Sequence, residues 1–157
     1  MSSVWLSPEE RGRALGYLAE RFGIAAEAFA GHHLIRRGEY LYAVRREAEE
    51  ACARLQWVAA GLKLLRVTGS GGFRPATRGI QVFGRWATRN TRDLSGEELR
   101  DLLEGRSLPA PGLDGFVLLF WGGAPVGVGL VRAGRLVGQL PRAVTEHLRL
   151  APGRALL

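Results

Sequence analysis

The chain has 157 residues, of which 46% are hydrophobic and 24% charged, with one cysteine and a formal net charge of +7. This composition excludes a disordered chain and a disulfide-stapled domain, because it supplies a core and no second cysteine. No apolar run is long enough to span a bilayer, and the first residues lack the pattern of a signal peptide. We therefore expect a cytoplasmic protein without a membrane partner.

The N-terminal stretch SPEERGRALGYLAERFG predicts a helix with clear ends. Ser7 and Glu10 have the spacing of a capping box, and Pro8 lies at the first helical position, where its missing N–H costs nothing. Apolar residues recur at helical spacing until Gly23, which predicts the end of the helix because glycine adopts the left-handed conformation easily.

A hairpin, a helix and a strand are predicted next. Two short runs, His32–Arg36 and Tyr40–Val44, flank the turn Arg-Gly-Glu and predict the hairpin. The stretch AEEACARLQWVAAG has helical apolar spacing, and LKLLRV, residues 62–67, predicts a strand.

The segment RPATRGIQVFGRWATRNTR, residues 74–92, predicts an amphipathic helix with an arginine stripe opposite its apolar side. Its last part, TRNT, is more typical of an exit into a strand. Residues 61–92 contain Lys63 and six arginines but no acid, whereas a solvated face usually mixes both signs of charge. Because arginine forks fit phosphate oxygens, this pattern indicates a surface that binds a polyanion.

The remaining chain predicts one acidic helix and a small sheet. Ser95 and Glu98 form a second capping box at the start of LSGEELRDLLEGRSL. Short apolar runs then alternate with glycine turns from Gly115 to Gln139, which is typical of an antiparallel meander. Helices followed by such a meander predict an α+β chain with a small barrel at its C-terminal end.

No motif of catalysis or cofactor binding is recognised. Gly127 and Gly129 lack the third glycine and the following helix of a dinucleotide loop, so we interpret them as sites of close packing or of a bulge in a curved sheet. His32 and His33 are predicted to point to opposite faces of a strand, which makes them a poor metal pair. Cys52 lies among helical alanines and is interpreted as a packed side chain.

The order of the motifs resembles a known family. F-x-P, G-x-Q-x-F-G, A-T-x-N, D-L-x-x-E-E-L and P-V-G-x-G-L-V-x-x-G-R-L-x-x-Q-L-P-R follow one another within residues 34–148. This order resembles the C-terminal extension of the Sun/Nop/Fmu-type (RsmF-like) RNA cytosine methyltransferases, where a linking domain and a PUA-like RNA-binding domain follow the catalytic domain. The catalytic domain, with its S-adenosylmethionine site and paired cysteines, has no counterpart in this sequence.

The resemblance implies a small N-terminal α/β domain, residues 1–72, followed by a PUA-like mixed β pseudo-barrel, residues 73–157. It implies an RNA-binding protein for structured rRNA or tRNA that is non-catalytic by itself. No cofactor and no small-molecule substrate are expected, and a separate methyltransferase chain is a further partner. The residues that it places on RNA are Arg74, Arg78, Arg85, Arg89, Arg132, Arg135, Gln139 and Arg142.

Two other interpretations stay open. The chain would be a protein-interaction subunit that docks on an RNA methyltransferase or a ribosomal protein, in which case apolar surface and not arginine carries its function. Alternatively it would be an enzyme without a recognisable motif.

Overall fold

The computed structural model describes residues 4–54 and 61–140. Within these residues the architecture is α+β, as predicted: helices pack on two five-stranded sheets, and the second sheet curls into a pseudo-barrel. The helices are α1 (Pro8–Phe22), α2 (Glu49–Arg54), α3 (Thr77–Phe83) and α4 (Gly96–Leu103). The strands are β1 (Val4–Trp5), β2 (His32–Arg37), β3 (Tyr40–Arg45), β4 (Leu62–Val67), β5 (Phe73–Pro75), β6 (Thr91–Asp93), β7 (Leu108–Pro109), β8 (Gly115–Trp121), β9 (Ala124–Arg132) and β10 (Arg135–Gly138).

Helix α1 begins and ends where the sequence predicts. The Ser7 hydroxyl accepts a hydrogen bond from the Glu10 N–H at 3.2 Å, and the Glu10 carboxylate accepts one from the Ser7 N–H at 2.9 Å. Gly23 ends the helix with a φ of 68°, and its N–H donates to the Ala19 carbonyl at 2.9 Å. The apolar face of α1 is thereby fixed against the first sheet, where Leu18 and Phe22 are fully buried.

The first sheet has the order β1-β2-β3-β4-β5 and is antiparallel throughout. It contains the predicted hairpin, whose turn includes Gly38 with a φ of 59°. A register shift between Leu41 and Tyr42 marks a bulge in the pairing of β3 with β4. Because side chains alternate along strands, Leu41 and its partner Leu65 face the helices, while Tyr40 faces outward.

The second sheet has the order β6-β8-β9-β10-β7. The predicted meander β8-β9-β10 is confirmed, with turns at Gly122-Gly123 and Ala133-Gly134, all at positive φ. The sequence did not predict that β6 pairs with β8 in parallel. A Cβ at Gly127 would collide with Leu140 and one at Gly129 with Leu136, so both glycines serve close packing, as interpreted.

The larger of two apolar cores joins the two sheets. Leu118 of β8 and Val128 of β9 pack in the same cluster as Leu18, Leu41 and Leu65. The smaller core lies under α4 and consists mainly of leucine and valine from the second sheet. The predicted domain boundary between residues 72 and 73 falls between the paired strands β4 and β5, and the division into two domains stays a prediction.

The predicted helix over residues 74–92 is shorter than its apolar pattern suggests. Helix α3 covers only Thr77–Phe83, continues as a 3-10 turn over Gly84–Trp86, and gives way to β6. Pro75 lies in β5 and not at the helix start. The expected exit into a strand near TRNT is confirmed.

Helix α4 has the predicted capping box, in which the Ser95 hydroxyl accepts from the Glu98 N–H at 3.1 Å. The predicted helix around AEEACARLQWVAAG is present as α2, and its remainder at residues 55–60 lies outside the described residues.

Candidate nucleic-acid interface

Helix α3 is held between the two sheets by its small and polar residues. Gly79 lies directly against the backbone of β4, where a Cβ would come within 2.8 Å of the Leu64 Cα. The Gln81 side-chain amide donates to the Val126 carbonyl at 3.1 Å, and the Thr77 hydroxyl donates to the Gln139 carbonyl at 3.4 Å. The buried side of α3 is therefore fixed, and its other side is left to solvent.

The exposed side of α3 and of the turn after it carries two predicted arginines. Arg78 is exposed and has no hydrogen-bonded or ionic partner among the described residues. The Arg85 guanidinium lies 4.0 Å from the centre of the Trp86 indole, which is 40% exposed. An arginine stacked on an exposed indole presents its donors sideways, which suits phosphate oxygens.

The structure divides the rest of the predicted arginine stripe. Arg74 lies on β5 opposite Arg66 of β4, and its side chain is exposed. Arg89 donates to the Ala19 carbonyl at 3.2 Å, and so helps to hold the end of α1. Since these residues lie on a strand and a bend, the interpretation of one continuous helical face is wrong.

The β9–β10 hairpin brings two more predicted residues together. Arg132 and Arg135 are directly opposite each other across the turn. Arg135 donates to the Ser107 hydroxyl at 2.8 Å and to the Ser107 carbonyl at 2.9 Å, so much of its donor capacity is used within the fold. Arg132 is exposed and, within the described chain, has no side-chain partner. At about 3.3 Å per residue, Arg132 lies roughly 17 Å along β9 from Gly127, which packs near α3.

The last two predicted RNA contacts are Gln139 and Arg142. The Gln139 side chain is exposed, and the Gln139 backbone links the end of β10 to both α3 and β9. Arg142 lies outside the described residues.

The arginines thus separate into two groups. Some hold the fold: Arg21 donates to the Phe116 carbonyl and Arg92 pairs with Glu98 at 2.8 Å. Others are exposed and donate to no hydrogen-bond acceptor in the part of the chain that the structure describes; among the predicted residues these are Arg74, Arg78, Arg85 and Arg132. The sequence pattern marks an arginine but not its hydrogen-bond partner, so it could not separate the groups.

Sequence reasoning also missed cations on the first sheet. Lys63 and Arg66 lie in the basic segment 61–92, and Arg37 lies in the predicted turn. No spacing in the sequence indicates that the three side chains are close together. Strand register reveals their proximity: Arg37 lies directly opposite Tyr40, and Tyr40 lies directly opposite Arg66.

The histidines lie on opposite faces of β2, as predicted. The His32 ring packs edge-on to Phe83 with centroids 5.1 Å apart, while His33 contacts Trp5 and its Nε2 donates to the Glu49 carboxylate at 3.0 Å. Burial lowers the pKa of His32, and nearby Arg45 lowers it further. Among residues 4–54 and 61–140, no group of three or more histidine, cysteine or acidic side chains is placed to hold a metal.

One comparison with known protein families matches part of the chain. Residues 89–145 match the family model described as the methyltransferase RsmF PUA domain. This segment contains β6 to β10, α4 and the arginine hairpin, whereas α3 and the first sheet precede it. A comparison with curated proteins gives no match. None of the described helices has the length and apolar character needed to span a membrane.

Proposed function

We propose, taking residues 89–145 as a PUA-like domain of the methyltransferase RsmF type, that the chain binds structured RNA. The observation that carries the proposal is the exposed arginines without acidic partners on α3 and on the β9–β10 hairpin, beside and within that domain. Their guanidinium groups neutralise phosphates and hold the RNA in register, while shape and a few polar contacts select the RNA.

The RNA that we propose is ribosomal or transfer RNA in the cytoplasm, bound in the context of a modification reaction. The chain acts without catalysing methyl transfer itself and supplies RNA to a separate methyltransferase chain. A methyl-transfer assay with S-adenosylmethionine and RNA tests this point: methylated RNA from the purified chain alone would contradict it.

Charge reversal on α3 tests the RNA interface. Arg78→Glu with Arg85→Glu is expected to weaken binding of an RNA stem-loop roughly 10- to 100-fold, because two phosphate contacts become repulsive. The dependence of log affinity on log salt is also expected to become shallower by about 2. Fluorescence anisotropy across a salt series measures both quantities.

Arg100→Glu is the matched control, since Arg100 is an exposed arginine on α4, a helix rich in acidic residues. It is expected to change the affinity by less than about twofold. Unchanged RNA binding by the Arg78/Arg85 variant, with the fold retained, would overturn the proposed interface.

A second candidate function has its own observation. Val82 is 44% exposed and Trp86 is 40% exposed, four residues apart on the same side of α3 and its extension. This apolar pair is typical of a surface that docks on a protein, here a methyltransferase or a ribosomal protein. Val82→Ser is the discriminating variant: loss of the protein partner with unchanged RNA affinity favours this second function, and loss of neither favours RNA binding alone.

A further inference from the structure

The outward face of the first sheet carries a row of cations with one aromatic residue among them. Cross-strand pairing joins Arg37 to Tyr40, Tyr40 to Arg66 and Arg66 to Arg74, so these four residues form one continuous row across β2 to β5. We call this set the cationic row. It spans three interstrand spacings, roughly 14 Å.

The cationic row is directed away from the core. The neighbouring positions Leu41 and Leu65 point to the opposite side, where they are buried in the cluster that includes α1 and α3. Arg66 and Arg74 are exposed, and Arg37 and Tyr40 are half-buried. At the hairpin end of the sheet, residues of the same strands therefore cover the core on one face and present charge on the other, whereas Ile35 and Val44 further along the outward face are buried.

The aromatic ring of Tyr40 is surrounded by positive charge. The Lys63 ammonium lies 3.9 Å from the ring centre, and the Arg66 guanidinium carbon lies 5.9 Å from it. A single cation–π contact holds a flexible lysine side chain weakly, so a base that stacks more extensively on the ring can displace it.

Acidic side chains do little to neutralise this face. Glu39 pairs with Arg66 at 3.0 Å, and this contact raises the pKa of the Arg66 guanidinium. Arg37 and Arg74 have no side-chain partner in the described part of the chain. Around the row itself, four cations, counting Lys63, thus stand against the Glu39 carboxylate, which leaves a local net charge of +3. Glu49 is a further carboxylate on this face, bonded to His33 at the other end of β2.

We propose that the cationic row, with Lys63, is a second RNA-binding surface that takes a single-stranded segment of RNA. An unpaired base stacks on Tyr40, and the phosphates on either side contact Arg37, Lys63 and Arg74. A paired base cannot stack there, because its faces are covered by its neighbours in the duplex. This inference rests on the proposed function, since it supplies a single-strand contact to an RNA binder. It places that contact outside residues 89–145.

Tyr40→Ala tests the proposal in the full chain. Binding of a labelled oligouridine of about 12 nucleotides is expected to weaken roughly 5- to 100-fold, as removal of one base-stacking ring does in single-strand binders. Binding of an RNA duplex of the same length is expected to stay within twofold. Tyr40→Trp keeps a ring at this position and is expected to restore the oligouridine affinity.

A second variant tests the charges without relying on Tyr40. Arg37→Ala with Lys63→Ala is expected to make the salt dependence for oligouridine shallower by about 1.4, at roughly 0.7 for each lost phosphate contact on a single strand. Arg45→Ala is the matched control, because Arg45 lies on the same strand as Tyr40 but at an alternate position that faces the other side. It is expected to leave the oligouridine affinity within twofold.

The outcomes separate this inference from the proposed function. Unchanged oligouridine binding by folded Tyr40→Ala, equal weakening on both RNAs, or failure of Tyr40→Trp to restore binding would each overturn the single-strand surface. Displacement of labelled oligouridine by polyglutamate as effective as displacement by unlabelled oligouridine, at equal charge concentration, would also overturn it, by showing charge attraction without stacking. If the Arg78/Arg85 variant loses duplex binding but retains oligouridine binding, this result supports two separate surfaces.

Discussion

Arg21 connects the first helix to the second sheet through its guanidinium group. Its Nε donates to the Phe116 carbonyl at 3.1 Å, and its Nη2 donates to the same carbonyl at 2.8 Å and to the Asp114 carbonyl. The Arg21 carbonyl in turn accepts from the Asn90 side chain at 2.6 Å. One residue thus joins three segments that are distant in sequence.

Arg21→Ala is expected to lower the free energy of unfolding by roughly 2–3 kcal/mol, because a charged donor is removed from a half-buried carbonyl. Arg13→Ala is the control, since the exposed Arg13 makes a single 3.3 Å bond to the Gly71 carbonyl, and we expect a change within about 0.5 kcal/mol. Urea unfolding measures both. If the two substitutions lower the free energy of unfolding equally, the hydrogen bonds of Arg21 contribute no more to stability than the single bond of Arg13.

Glu98 makes stability depend on pH. Hydrogen bonds from Ser95 and Arg92 lower the pKa of its carboxyl below the ordinary 4.5. Because the folded state favours the ionised form, its contribution is complete above the ordinary value and is lost as pH falls through the folded value.

Glu98→Gln retains the capping side chain and removes the charge, and we expect a loss of about 0.5–1 kcal/mol at neutral pH. The difference from the wild type should be smaller at an acidic pH well below 4.5, where the wild-type carboxyl takes up its proton. Urea unfolding at both pH values checks this, with the exposed Glu20→Gln as a charge control. A difference that stays constant with pH would contradict the argument.

At the scale of elements, glycine has opposite effects on stability in α1 and α3. Gly79 allows α3 to lie against β4, where a Cβ would come within 2.8 Å of the Leu64 Cα and the Lys63 carbonyl. Gly12 lies in α1 with no atom within 4 Å of the site of its Cβ. The same residue type is therefore required for packing in one helix and is a conformational cost in the other.

We expect Gly79→Ala to destabilise the fold by roughly 1–3 kcal/mol, because backbone must move to admit the methyl group. Gly12→Ala should stabilise it by about 0.4–1 kcal/mol, through the lower entropy of the unfolded chain. Thermal unfolding distinguishes the signs. If both substitutions shift the midpoint in the same direction, the close contact between α3 and β4 is not a constraint on stability.

At the scale of the whole molecule, the sequence predicted those structural features that neighbouring residues determine. Both capping boxes, the hairpins and the meander depend on residues a few positions apart, and they are confirmed. The end of α3 and the parallel pairing of β6 depend on contacts with distant strands, so the apolar pattern at residues 74–92 could not reveal them. The fold class was predictable because it follows from patterns among neighbouring residues. The contacts between distant segments were not predictable, because no such local pattern encodes them.

The candidate site shows the same limit. Sequence identified a basic segment, but Arg89 bonds to a carbonyl 70 residues away and Arg135 to a serine 28 residues away. Only folded contacts distinguish these arginines from Arg78 and Arg132. The cationic row needs the register of four strands, which no spacing in the sequence expresses.

The edges of both sheets are short. Within the described residues, β1 and β5 bound the first sheet and β6 and β7 bound the second, with two or three residues each, and Pro75 and Pro109 occupy two of them. Unpaired strand edges are where chains add to one another in aggregates, and short edges with proline offer few positions for that addition. Copies of the chain at high local concentration would therefore lie close together without joining their sheets into a fibre.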